Sequence, residues 1–423
     1  MKRTLLTAIL LSIALFPKAD AAGPAEADDI RAGSWAVSLS DHIMTPRIIA
    51  CDDWTLPPVI ELDGDGSLEF SFDGMSHDMH RYTYHIVHCD ACWNQTDLLY
   101  SEYMDGFDNE YIDSWEISQN TTFEYTHYTL SFPNEMNRPK LSGNYMLSVL
   151  DDDIPVAQFR FCVVEPLTEL KASASSITDI DTRGKHQQVV ASVDLERLQC
   201  HNPKDELKLT VMQNLRFDNA ASAVSPDFVT GSSVSWQHCE PLIFPAGNGF
   251  RRFEITDVYT NMRGVERIAF NNPHYHAYLT RDMIRRSFSH DDDHHGLFYI
   301  RSTETGAGDY DTESDYVVVH FTLDSPELDG GSPYLFFQYD AAALPTRYRM
   351  EYNDLEHSYS LEIPMKTGVY DYQYLWVPDS RNSGETGRIE GDWYETSNSY
   401  LILLYQRRPG ERYDRLVSTS SRD

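Results

Sequence analysis

Imidazole and carboxylate side chains crowd together in residues 290–295, whose sequence is HDDDHH. Both types of side chain bind transition metals, and carboxylates also bind calcium. Consecutive residues of one segment cannot all point at a single ion, however, and no cysteine or glycine-shaped loop surrounds these six. We therefore predict a solvated loop between strands here, with no bound metal.

A C-x-x-C motif formed by Cys89 and Cys92 could carry redox or zinc chemistry. Redox use requires a helix N-terminus in a thioredoxin-like βαβ unit, whereas this motif follows a predicted strand and leads into Trp93. A structural zinc site requires a second pair of ligands at suitable spacing, which the sequence does not supply. We predict neither activity for this motif.

Motifs for nucleophilic, metal-dependent and nucleotide-dependent catalysis are absent from the sequence. It contains no G-x-S-x-G, H-E-x-x-H or G-x-x-x-x-G-K-[ST], and no G-x-G-x-x-G follows a predicted strand. Carboxylates are so numerous that some pair must lie at the separation used by glycosidases, so that spacing carries no information. We expect a protein that is not an enzyme and that binds no cofactor.

Strict alternation of side chains organises residues 81–165. In the segment RYTYHIVHCD, Tyr82, Tyr84 and Ile86 fall on one side, which is the period of a half-buried β-strand. The same pattern recurs in FEYTHYTLSFP, NYMLSVLDDD and VAQFRFCVVEP. With the short apolar runs before residue 73, these strands predict a β-sandwich of immunoglobulin-like size that ends near residue 166.

Two further sandwiches are predicted from the rest of the chain. Strand-like segments continue to residue 324 and resume after the breaker run SPELDGGSP. The later segment GVYDYQYLWVP is similar to a strand of early-set sandwiches such as glycogen-binding modules. We therefore predict an all-β protein of tandem β-sandwich domains, immunoglobulin-like or early-set-like, over residues 22–166, 167–324 and 325–423.

Longer motifs, in order along the chain, resemble the plug protein family of the type IX secretion system of Bacteroidota. They include HCDxxW at 88–93, DLxxSEYxDGF at 97–107, YTHYxLxFPNExxRPKLSGNY at 125–145, FPAGNGFRRFEI at 244–255 and RPGxRYDRL at 408–416. The resemblance implies a non-enzymatic gating subunit. Its implied partner is the outer-membrane translocon barrel, whose periplasmic opening the protein would bind and close when no substrate occupies it.

The formal net charge of -32 argues against nucleic acid as a partner, because its phosphates would be repelled. It argues equally against docking on anionic headgroups by charge alone. A basic surface on a partner protein is compatible with this charge, and so is simple solubility in a crowded compartment. We predict no binding to nucleic acid and no direct insertion into a membrane.

The N-terminus has the three parts of a cleavable signal peptide. A basic start at residues 1–3 precedes an apolar run at 5–16 and a small-x-small site at 19–21, so residues 1–21 are predicted to be removed. We expect an exported periplasmic protein, peripheral to the outer membrane. An even number of cysteines in such a protein suggests disulfides, and our hypothesis is a bridge between Cys200 and Cys239.

A partner-binding surface is predicted around the acidic and aromatic connection that begins at residue 97. Aromatic and Met side chains are enriched in interface cores, and basic side chains in an acidic protein can form charge-assisted contacts. On these grounds the candidate contact residues are Tyr103, Met104, Phe107, Tyr111, Arg138 and Lys140. The alternative is that the connection folds back and caps its own sandwich.

Glycan binding in a surface polysaccharide-uptake system is the second function that the sequence allows. Trp376 and Trp393 could stack on sugar rings in the third region. We expect instead that Trp376 packs in the core and that Trp393 packs at its rim.

Overall fold

Strands make up nearly all of the regular structure in the computed structural model, which describes residues 34–180, 184–290, 293–303, 308–338 and 344–422. The predicted all-β class of tandem β-sandwiches is confirmed. Three single-turn helices interrupt the strands: α1 (Tyr100–Tyr103), α2 (Pro203–Glu206) and α3 (Tyr310–Glu313). The predicted signal peptide lies outside the described residues. No helix in the described ranges is long and apolar enough to cross a bilayer.

The first sandwich is built from twelve strands: β1 (Ala36–Ser38), β2 (Ile43–Ala50), β3 (Val59–Glu61), β4 (Leu68–Gly74), β5 (Thr83–Cys89), β6 (Met104–Gly106), β7 (Glu110–Tyr111), β8 (Ser114–Ile117), β9 (Thr126–Phe132), β10 (Asn137–Pro139), β11 (Gly143–Asp151) and β12 (Ile154–Val164). One sheet has the order β1-β12-β11-β5-β7, with β3 beside β12, and the other has the order β2-β4-β9-β8. Their inner faces share one core, which includes Phe70, Ile86 and Leu147.

The second sandwich begins with β13 (Leu170–Ser175), β14 (His186–Asp194), β15 (Leu207–Gln213), β16 (Ala221–Val224), β17 (Phe228–Val229), β18 (Ser233–Trp236) and β19 (Ile243–Pro245). The third follows with β20 (Arg251–Ile255), β21 (Val265–Asn271), β22 (His274–Leu279), β23 (Asp282–Met283), β24 (Phe298–Ile300), β25 (Tyr316–Asp324), β26 (Gly331–Phe336), β27 (Glu351–Asn353), β28 (Ser358–Lys366) and β29 (Gly368–Pro378). The chain ends with β30 (Tyr400–Gln406) and β31 (Arg415–Arg422).

The third sandwich is inserted into the second. β30 and β31 return to the second sandwich, where they complete the sheet β16-β15-β30-β31 opposite β13-β14-β18-β17. The sheets of the third sandwich are β20-β29-β24, with β26 beside β29, and β21-β22-β25-β28-β27, with β23 beside β25. A boundary at residue 324 would separate β25 from its partner β28 and β15 from its partner β30. The predicted second boundary is wrong for this reason.

An apolar cluster joins the first sandwich to the second. Trp35 and Cys162 of the first pack against Leu403 and Tyr405 of the second. The Tyr405 hydroxyl donates to Asn144 Oδ1 at 2.7 Å, so a polar contact fixes the position of the two sandwiches within this cluster.

A buried ionic joint connects the first sandwich to the third. Asp73 on β4 is fully buried, and its carboxylate accepts hydrogen bonds from Lys366 Nζ at 2.7 Å, the Tyr316 hydroxyl at 2.6 Å and His127 Nδ1 at 2.6 Å. Lys366 and Tyr316 come from β28 and β25 of the third sandwich. Each charge therefore depends on a partner from the other sandwich.

Two further residues extend this joint toward solvent. Arg47 of the first sandwich pairs with Asp311 of the third at 2.6 Å, and Lys366 also donates to the Asp311 carbonyl at 2.6 Å. We call Arg47, Asp73, His127, Asp311, Tyr316 and Lys366 the ionic joint. Its charges are paired between the cores of the first and third sandwiches, which holds the two sandwiches in one relative orientation.

The ionisation of the joint follows from its surroundings. Burial by itself raises the pKa of Asp73, but the Lys366 ammonium and the bonds from His127 and Lys366 outweigh it and lower that pKa to about 2. Burial lowers the pKa of Lys366, and the attraction of Asp73 and Asp311 opposes that effect. The ammonium and the carboxylate lie 2.7 Å apart with both side chains buried, so loss of either member leaves the other without its partner.

Candidate partner-binding surface

The connection that was predicted to bind a partner folds into short, ordered elements on the first sandwich. It runs from α1 through β6, then forms β7 at the edge of one sheet and β8 at the edge of the other. β6 pairs with β10, which places Arg138 opposite Asp105. The connection and the neighbouring loop around Arg138 therefore form one structural unit.

Of the six predicted contact residues, four are exposed and two are in the core. Tyr103 is 4% exposed and its hydroxyl donates to the Ile86 carbonyl at 3.0 Å, while Met104 is 1% exposed. Phe107 and Tyr111 are 72% and 45% exposed. Tyr103 and Met104 thus support the surface from beneath, because α1 folds back onto its own sandwich. The alternative reading of the connection is correct for these two residues.

The two predicted basic residues, Arg138 and Lys140, are also exposed. Lys140 Nζ donates to the Ser101 carbonyl at 2.8 Å. This contact ties the basic loop to α1 within the molecule.

A buried amide holds the backbone beneath Phe107. Asn137 is fully buried and its Nδ2 donates to the Phe107 carbonyl at 2.7 Å and to the Tyr100 hydroxyl at 2.8 Å. Its Oδ1 accepts from the Tyr84 hydroxyl at 2.6 Å. The neighbouring Gly106 has φ +122°, and a Cβ there would lie 1.6 Å from the Met136 carbonyl oxygen. The exposed ring is therefore presented by a fixed backbone, which lowers the ordering cost of binding.

Replacement of Asn137 by alanine is expected to lower the free energy of unfolding by about 2 kcal/mol, because buried partners lose their hydrogen bonds. Urea denaturation followed by circular dichroism measures this change. Glu135→Ala, at an exposed position of the same loop, is the control and should change stability by less than about 0.5 kcal/mol. Equal stability of the two variants would show that the amide does not hold this loop.

The surface is strongly acidic. Residues 94–126 contain the eight carboxylates of Asp97, Glu102, Asp105, Asp108, Glu110, Asp113, Glu116 and Glu124, and no Lys, Arg or His. Two of these carboxylates have basic partners from elsewhere: Asp108 lies 2.5 Å from His85, and Glu102 contacts Arg412. The remaining negative charge favours a basic partner.

Other exposed apolar side chains lie on the same elements. They are Leu99, Trp115, Ile117 and Met136, between 41% and 69% exposed. Leu99 and Trp115 lie within the acidic and aromatic connection that begins at residue 97. Ile117 and Met136 were missed, although the alternation of Trp115 and Ile117 is a strand signal that could have found Ile117.

In the histidine and aspartate run 290–295, Asp293 and His294 contact different parts of the protein. Asp293 accepts from the Phe250 amide at 2.7 Å, and the His294 ring packs edge-on against Trp54 at 5.2 Å. Residues 291 and 292 lie outside the described residues. Across the ranges that the structure describes, no group of three or more His, Cys, Asp or Glu could hold a metal ion.

The cysteines are free thiols. The predicted bridge between Cys200 and Cys239 is therefore wrong: Cys239 Sγ faces the Ser225 carbonyl at 3.9 Å, and the Cys200 thiol hydrogen bonds to Glu206. Within the C-x-x-C motif, burial raises the pKa of Cys89 to about 12 and raises that of Cys92. Thiolates are disfavoured at both positions, which does not suit redox chemistry.

The aromatic side chains that suggested glycan binding do not form a platform. Trp376 is 3% exposed and lies in the core of the third sandwich, as predicted, with the Arg388 guanidinium 4.0 Å from its ring centroid. Trp393 is half-buried. The geometry therefore favours the partner-binding surface over a sugar site.

Comparison with known proteins supports a relationship to secretion proteins. The family model for the first domain of type 9 secretion system plug proteins matches residues 43–165, the range that holds this surface. A crystal structure of a hypothetical protein from Parabacteroides merdae ATCC 43184 has 37% sequence identity and a TM-score of 0.89, over 92% of this chain and 99% of that chain. No curated protein matches this chain.

Proposed function

Because the chain belongs to the type IX secretion system plug family, we propose that it binds the periplasmic opening of the outer-membrane translocon barrel and closes it. The observation that carries this proposal is the family match over residues 43–165, the range in which an ordered surface exposes aromatic side chains. The protein would act as a periplasmic subunit peripheral to the outer membrane and without catalysis.

A protein that closes a wide pore must hold its domains in a fixed relative arrangement. The ionic joint fixes the first sandwich to the third, and the apolar cluster around Trp35 and Tyr405 fixes it to the second. Buried contacts of both kinds resist relative motion of sandwiches better than a flexible linker would. A rigid protein of this kind could close the pore if the pore carries a surface complementary to its own.

The surface around Phe107 supplies the chemistry expected of such an interface. Phe107 and Trp115 offer exposed aromatic area, which dominates the energetics of many protein interfaces. The surrounding carboxylates would steer the protein toward a basic rim and away from anionic lipid. The proposed partner therefore carries apolar pockets bordered by Lys or Arg.

Co-purification from native outer membranes in gentle detergent tests the proposal. The tagged wild-type protein is expected to recover the translocon barrel, and Phe107→Ser is expected to reduce that recovery about 30-fold, as for a hot-spot loss of about 2 kcal/mol. The control is Phe228→Ser, which removes an exposed ring from the second sandwich. Absence of the barrel from the wild-type sample would overturn the proposed function.

A further inference from the structure

β8 ends its sheet with an edge that no other strand covers. It pairs with β9 alone in the part of the chain that the structure describes, and all four of its residues are exposed. An edge of this kind presents unpaired backbone groups, which can pair with a strand of another chain.

The register shows which backbone groups face outward. The Ser118 amide donates to the Tyr125 carbonyl at 2.8 Å, and the same register places Ser114 opposite Thr129. In an antiparallel pair the hydrogen-bonded residues alternate with residues whose N–H and C=O groups point away. The backbone groups of Trp115 and Ile117 therefore point toward the open edge.

Three other edge strands in the described part of the chain carry features that oppose pairing. β2 contains Pro46 and a register shift, and β21 and β31 also pair through register shifts. The register between β8 and β9 is regular, and β8 contains neither Pro nor Lys. Bulges, prolines and lysines are the usual protection of sheet edges.

The side chains of β8 indicate what kind of strand fits. Trp115 lies opposite Tyr128, which is a core residue. The Trp115 ring is therefore on the same face of the sheet as the core, at the outermost strand. Glu116 points to the other face, in the acidic segment of residues 94–126. An added strand would place apolar side chains beside Trp115 and Ile117 and basic side chains beside Glu116.

We propose that β8 accepts an extended strand with alternating apolar and basic side chains, supplied by the translocon barrel, and so extends the sheet β2-β4-β9-β8. This inference rests on the proposed function, since the barrel is the source of the strand. The backbone ladder provides affinity, and the alternate side chains provide specificity.

Ile117→Pro tests the proposal because it removes an outward N–H group and leaves the N–H groups that bond β9 in place. In co-purification with the full-length tagged protein, this variant is expected to recover at least 10-fold less barrel than the wild type. Ile117→Val keeps the N–H group and a β-branched side chain and should recover the wild-type amount. Thermal unfolding checks that both variants are folded.

Hydrogen exchange of the wild-type protein gives a second readout that needs no variant. The amides of Trp115 and Ile117 are expected to exchange at least 10-fold more slowly in the barrel complex than in the free protein. Wild-type recovery by a folded Ile117→Pro, or unchanged exchange at both amides in the complex, would overturn the strand proposal alone. Failure of the wild type to recover the barrel would overturn the proposed function, and this inference with it.

Discussion

Replacing Lys366 by methionine is expected to lower the free energy of unfolding by about 3 to 5 kcal/mol. The substitution keeps the length of the side chain and removes the ammonium that lies 2.7 Å from the Asp73 carboxylate. Asp73 would stay fully buried with hydrogen bonds from His127 and Tyr316 but without its main counter-charge. A loss of this size is a large fraction of the stability of a typical domain.

An exposed ion pair provides the matched control for the Lys366 variant. Arg281 and Asp324 approach to 2.6 Å but are 44% and 39% exposed, so Arg281→Met should cost less than about 1 kcal/mol. Urea denaturation of both variants measures the two losses under the same conditions. Similar small losses in both would show that the ionic joint does not hold the first and third sandwiches together.

Acid provides a further readout on the same variant. The pKa of Asp73 in the folded protein is about 2, below its ordinary value of 3.8. Its stabilising contribution is therefore complete above about pH 4 and is lost as the pH falls through about 2. The difference in stability between the wild type and Lys366→Met should shrink over this range.

Replacing Arg251 by methionine is the second change with a large expected effect, a loss of about 3 to 5 kcal/mol within the third sandwich. Its guanidinium contacts both carboxylate oxygens of Glu390 at 3.0 Å and Asp282 at 2.5 Å. Glu390 is fully buried, so the substitution would leave its carboxylate without solvent and without the two hydrogen bonds from the Arg251 guanidinium. Arg285, 3.5 Å away, can replace only part of this interaction.

Two variants distinguish the effect of the bidentate Arg251–Glu390 pair from the effect of removing any positive charge. Arg251→Lys keeps the charge but cannot reproduce the two parallel bonds, so it should fall between the wild type and Arg251→Met. Arg381→Met removes an ion pair with Glu385 of the same 3.0 Å length that is 64% and 45% exposed, and it should cost less than about 1 kcal/mol. Equal losses of stability for Arg251→Met and Arg381→Met in calorimetric unfolding would show that the buried pair with Glu390 does not stabilise the third sandwich.

Much of the strand content was predictable because alternation is a local property. The segment GVYDYQYLWVP coincides with β29, and its alternating Tyr370, Tyr372 and Tyr374 lie in one core. Strand pairing was not predictable in this way. The partners β15 and β30 are nearly 200 residues apart in the sequence, and no local pattern shows that a whole sandwich lies between them.

The candidate surface was predictable in composition but not in detail. Phe107 and Tyr111 are exposed, whereas Tyr103 and Met104 of the same connection are buried, because these two side chains pack into the core of the first sandwich. The ionic joint escaped prediction altogether. Asp73 and Lys366 are single charged residues 293 positions apart, and nothing in the sequence near either one indicates a buried partner.

The most direct measurement is the outer-membrane permeability of native cells that retain the translocon barrel but lack this protein. If the protein closes the periplasmic opening of the barrel, these cells will take up bulky antibiotics that the parent strain excludes, and the wild-type gene will restore the barrier. Permeability equal to that of the parent, with the barrel present at its normal level, would contradict the claim that the protein is a plug.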